Sequence, residues 1–192
     1  MTSFCEHLVK LLSNKDIKYA IYLACDAALS SLDEDGDEHP TNNPFDAEFL
    51  RTFESPNPGQ LFIDCGDKAR LAFIIHIDFF NPNGVAGHSN SDSISLALLN
   101  LPVNLCYQPE NLFPAIIHGP CEPKDNKINH YLCPIVNEFV ISWEHGFHIS
   151  QTVSSLDNGR DAEITIVTSL NDLPAAWKVS GSAGHTSHFI CT

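Results

Sequence analysis

With 192 residues, 43% of them apolar and 18% charged, the chain can bury one sizeable core, and its composition is that of a folded protein and not of a disordered one. Its 24 acidic against 10 basic residues give a formal charge of −14, which repels a polyphosphate backbone and releases no counterions, so DNA binding by this segment alone is disfavoured. No run of about 18 apolar residues occurs and the opening stretch carries charges, so no membrane span or targeting signal is read and an intracellular setting is expected.

The seven cysteines, at 5, 25, 65, 106, 121, 133 and 191, form an odd, scattered set better read as reduced thiols than as a disulfide framework.

In chain order, Ile17, Ala20, Ile21, Ala24, Ala28 and Leu32 recur at three and four, which predicts an amphipathic helix from about Asp16 to Leu32, with a shorter helix before it. Asp33-Glu34-Asp35-Gly36-Asp37-Glu38 and the Pro and Asn residues after it have no period and read as a solvated loop. A short helix is expected over Phe45 to Phe53, followed by a turn at Pro56-Asn57-Pro58-Gly59. Leu71 to Phe80 is the strongest strand, buried on both faces. Ser93 to Leu99 and Phe113 to Ile117 follow as strands, so that the three can form a meander.

After Pro123, the residues Ile128, Tyr131, Leu132, Ile135, Val136, Phe139, Val140 and Trp143 form a helical stripe closed by Gly146, with Pro123 suited to the first turn and Pro134 inside the helix. The β-branched run Ile164 to Leu170 is a fourth strand that leads into Asn171-Asp172-Leu173-Pro174. The resulting expectation is an α/β fold of three strands, a helix and a strand. Residues 1–60 form a helical extension with an acidic loop, and 61–192 form the core.

Asp78 stands near the end of an apolar strand, where an unpaired carboxylate loses several kcal/mol of hydration, and Asp172 stands at the end of the fourth strand. Two carboxylates at the ends of neighbouring strands can hold a divalent cation for phosphodiester chemistry, although strand-end aspartates also serve as caps and turn formers. His76 shares a strand face with Asp78, as a partner of that carboxylate or as a packed core histidine. His185, His188 and Cys191 offer three ligands of a zinc site that would need a fourth, or are a polar tail. No Gly-x-Ser-x-Gly elbow and no phosphate-binding glycine loop is present.

Six phrases, Asp46-Ala-Glu-Phe-Leu-Arg-Thr-Phe53, His76-Ile-Asp-Phe-Phe-Asn-Pro-Asn-Gly84, Leu98-Leu-Asn-Leu-Pro102, Tyr107-Gln-Pro-Glu-Asn111, Asn129-His-Tyr-Leu132 and Asp172-Leu-Pro-Ala-Ala176, occur in order along the chain. Together they resemble the transposases of CACTA (En/Spm-like) elements of basidiomycete fungi, over nearly the whole chain. The resemblance implies a ribonuclease-H-like core with an acidic triad. Asp78 and Asp172 match the first two acids, and the third has no counterpart before Thr192. It further implies magnesium or manganese as cofactor, DNA as the intact parent's partner and a nuclear location.

The chain departs from the family pattern at Cys133 and Trp177, where a basic residue is expected, and lacks the cysteine that continues the terminal His/Cys cluster. The expected function is therefore that of a truncated transposase fragment, inactive alone and with no metal necessarily bound. The alternative is a decayed or domesticated remnant whose acidic surface binds protein.

Overall fold

The computed structural model describes residues 3–32, 43–80, 91–118, 127–150 and 158–181. The acidic loop at 33–38, Pro123 and the His185, His188 and Cys191 cluster lie outside these described residues.

Helix α1 (Phe4–Ser13) starts at a reciprocal cap: the Ser3 hydroxyl accepts from the Glu6 amide at 3.1 Å, and the Glu6 carboxylate accepts from the Ser3 amide at 3.0 Å. Asn14 ends α1 and begins α2 (Lys15–Ser30), its side chain accepting from the Asp16 amide. Helix α2 buries Ile17, Ile21, Ala24, Cys25 and Ala28, as the periodicity predicts. It stops two residues short of Leu32, which is exposed, because the Arg51 guanidinium donates to the Ser31 carbonyl and closes the helix end. A 3-10 turn (Pro44–Asp46) and helix α3 (Glu48–Thr52) take the place of the single short helix expected here.

The sheet contains β1 (Ala69–Phe80), β2 (Ser91–Leu98), β3 (Phe113–His118), β4 (Phe147–Ile149) and β5 (Arg160–Asn171), in the order β3-β2-β1-β5-β4. Strands β1, β2 and β3 pair antiparallel as the expected meander, with the small helix α4 (Val103–Cys106) between β2 and β3. Strand β5 pairs parallel with β1, so the chain crosses over through helix α5 (Asn129–His145), as parallel neighbours require. The result is a mixed α/β fold.

Strand β4 was not expected. It forms a short antiparallel pair with the start of β5, and Gly159 (φ 62°) makes that pair close, because a Cβ there would lie 2.1 Å from the Ile149 carbonyl oxygen. Helix α6 (Leu173–Ser180) ends at Gly181 in the left-handed region.

One core joins these layers. Phe4 of α1 meets the rings of Phe73, Phe113 and Phe139 at 5.5, 5.3 and 4.9 Å, so the N-terminal helices pack on the sheet itself. Among the described residues no helix is long and apolar enough to cross a membrane.

The stripe on α5 needs correction. Ile128, Leu132 and Phe139 are buried and Ile135 and Trp143 pack against the core, but Tyr131, Val136 and Val140 are exposed. The contact face is narrower than the apolar stripe, and those three stand on its flanks. The helix also begins at Asn129, six residues after Pro123, and runs through Pro134.

A buried ion pair crosses from β1 to β5. Arg70 and Glu163 are register partners, and Arg70 Nε donates to Glu163 Oε2 at 2.9 Å. Arg70 Nη1 also donates to the carbonyls of Leu61, Phe62 and Asp64, while Lys68 reaches the other Glu163 oxygen.

Candidate metal centre

Strand β1 is covered on both faces from Leu71 to Ile75, then opens: Ile77 remains buried, while His76 and Asp78 on the opposite face are half-buried. Across the β1–β2 pair, His76 lies opposite Ser95 and Asp78 opposite Ser93, both half-exposed. The end of this face is therefore polar, and the alternation Ser93-Ile94-Ser95-Leu96 was the signal for it in the sequence.

On its other side β1 meets β5, and the register between them changes once. Phe73 pairs with Ile166 but Ile74 pairs with Thr168, so Val167 is an extra residue in β5. Because strand faces alternate at every residue, this one insertion exchanges the faces of everything that follows. Pairing ends at Ile77 and Asn171, which leaves Asp78 and Asp172 as the next residues on two strands about 4.8 Å apart. Were Val167 paired in the ladder and not bulged out, Asn171 would stand opposite Asp78.

Asn171 fixes this end of the register. Its side-chain oxygen accepts from the Ile77 amide at 2.9 Å, and its side-chain nitrogen donates to the Ser169 hydroxyl at 2.6 Å. Sequence reasoning treated Asn171 only as part of a turn; an amide side chain at a strand end, able to replace a backbone partner, is the signal that was passed over.

Asp172 also begins α6: its Oδ1 accepts from the Ala175 amide at 2.8 Å. This is the cap role left open by the sequence, and it orients the carboxylate without using both oxygens. His76 lies on the Asp78 face, level with Leu170 of β5.

The two carboxylates offer hard oxygen donors suited to magnesium or manganese, ions that keep several waters when held by one or two carboxylates. Among the described residues no group of three or more His, Cys, Asp or Glu side chains is placed to hold a metal.

No curated protein and no solved structure matches the chain. A family model does: the one described as transposase family tnp2 matches residues 39–192, a stretch that includes all five strands and both aspartates. The chain belongs to the transposase family tnp2.

Proposed function

We propose that these residues form the front of a CACTA-type transposase catalytic core with ribonuclease-H-like topology, in which Asp78 and Asp172 hold a divalent cation. The single observation that supports this reading is the bulge at Val167, which makes Asp78 and Asp172 the residues that follow the last paired positions, Ile77 and Asn171, of two parallel neighbouring strands. The strand order, with a three-stranded meander and a crossover helix leading to a strand beside β1, supports the fold part of the reading.

Bound there, magnesium or manganese would supply charge stabilisation for phosphodiester oxygens and a more acidic water. The chain's own residues contribute the rest. Asp172 is pinned by α6, Asp78 is held by the centre of the sheet, and Ser93 and Ser95 add hydroxyl donors on the adjoining strand. DNA is the partner of the intact enzyme and the nucleus its setting. The resemblance calls for a third acid that it does not find in these 192 residues, so the isolated chain is read as inactive. The fungal origin rests on the six phrases alone.

Paramagnetic broadening by manganese tests this reading. Signals of residues around Asp78 and Asp172 should broaden in the wild-type chain and remain sharp in Asp78→Asn. Equal broadening in both would place any bound ion elsewhere and favour the alternative of a scaffold without a metal site.

A further inference from the structure

Cys25 and Cys65 are far apart in sequence and meet in the fold. Cys25 lies on α2 at 1% exposure and Cys65 lies in the turn ahead of β1 at 9%. Asn100 Nδ2 approaches the Cys25 sulfur at 3.7 Å and donates to the carbonyl of Arg70 at 2.9 Å, and the Arg70 guanidinium reaches the Asp64 carbonyl beside Cys65, so the two thiols lie close enough for each to set the other's acidity.

The turn that carries Cys65 is strapped by two guanidinium groups. Arg70 Nη1 donates to the Asp64 carbonyl at 2.6 Å, and Arg160 Nη2 donates to the carbonyls of Gly66 and Lys68 at 3.2 and 3.1 Å. Arg160 in turn stacks on Tyr22 of α2, 4.4 Å from the ring centroid. The neighbouring Cys25 thiol, followed by the Arg70 and Arg160 charges, holds the Cys65 thiol below its ordinary range against the opposing effect of burial. Cys25, beside Cys65 and more deeply buried, is pushed up. Cys106 is the internal contrast: it is buried with burial as the only influence on it, and its thiol is pushed up to about 11.

A buried cysteine usually acts as a small apolar side chain. Two in contact, one beside two fixed cations and nearer the surface, make a nucleophile with a resolving partner. We propose that Cys25 and Cys65 are a redox pair that closes to a disulfide when the protein meets a hydroperoxide. The Cys65 thiolate attacks the peroxide oxygen, forming an S–O bond as the O–O bond breaks and hydroxide leaves. The Cys25 sulfur then attacks the Cys65 sulfur; the S–S bond forms, the S–O bond breaks, and the departing hydroxide takes the Cys25 proton as water. With hydrogen peroxide, two thiols lose two electrons and one peroxide becomes two waters. The product ties α2 covalently to the turn ahead of β1.

The test is to treat the folded chain with hydrogen peroxide, unfold it, block free thiols by alkylation and map peptides without reduction. A peptide pair joined through Cys25 and Cys65, released by dithiothreitol, is the expected result, together with a raised melting temperature that dithiothreitol reverses. In Cys25→Ser, dimedone should trap a sulfenic acid at Cys65, because the resolving thiol is gone. Oxidation confined to the exposed Cys5 and Cys133, with Cys25 and Cys65 both recovered as alkylated thiols, overturns the proposal, and this reading needs only the wild-type chain.

Discussion

Ile77 donates its amide to the side chain of Asn171, and the residues that follow on each strand are Asp78 and Asp172. The last bond between the two strands is thus made by a side chain, one step before the carboxylates. Asp172 has two roles, which substitution separates. Asp172→Asn keeps a good helix cap, so stability should change little, while manganese broadening should be lost. Asp172→Ala removes the cap as well and should cost about 0.5 to 2 kcal/mol, measured by urea denaturation. Loss of stability in Asp172→Asn equal to that in Asp172→Ala would mean that the charge, and not the cap, is what the fold uses.

Deleting Val167 should only close the bulge, leaving Ile74 opposite Thr168 and Asn171 opposite Ile77, so manganese broadening near Asp78 should persist. Deleting Val167 and Thr168 together should advance the register by one, put Asp172 opposite Ile77 and turn it to the face away from Asp78. The expected outcome of the double deletion is an unchanged far-ultraviolet circular dichroism spectrum without manganese broadening near Asp78. Manganese broadening that survives the double deletion would show that register does not create the site.

Leu132 is buried on the sheet side of α5, and Leu132→Ala should cost about 2 to 5 kcal/mol. Val140→Ala, on the exposed flank of the same helix, should change stability by no more than about 0.5 kcal/mol. Equal costs in chemical denaturation would contradict the narrow contact face.

Arg70→Met should destabilise by about 3 to 5 kcal/mol, because it leaves a buried Glu163 with Lys68 alone and strips a donor from three carbonyl oxygens. A double-mutant cycle with Glu163→Gln measures how much of this belongs to the pair; a coupling near zero would mean that the carbonyl contacts dominate.

The isolated chain should show no cleavage or strand transfer with magnesium or manganese and no gel retention of DNA at about 0.1 M salt, given its charge of −14. Cleavage that disappears in Asp78→Ala would reverse this reading, since two acids would then suffice or a second copy would complete the site.

The meander and the crossover to a fourth strand were legible because Leu71 to Phe80 and Ile164 to Leu170 are apolar runs bounded by turn formers. What was hidden depends on single residues whose effect is tertiary. A bulge at Val167 leaves no mark in a β-branched run, since the extra valine has the same propensity as its neighbours. Glu163 stands just ahead of the expected strand and carries no sequence signal of its role, because its partner Arg70 lies far away in sequence and only pairing of β1 with β5 brings them together. The cysteines looked scattered for the same reason.

The central pairing also governs the order of assembly. Strands β1, β2 and β3 are joined by local connections and can associate early, whereas Ala69 cannot meet Ala162 until the whole meander and α5 have been made. During synthesis the β5-facing edge of β1, with Ile74, Ile75 and Ile77 along it, waits unpaired. Beyond Arg70 near its start, this isoleucine-rich edge is a template for any passing strand. Ribosome-bound or prematurely ended chains that stop before Arg160 are therefore the aggregation-prone species, and the arrival of β5 protects the sheet in the same event that seats Asn171 against Ile77.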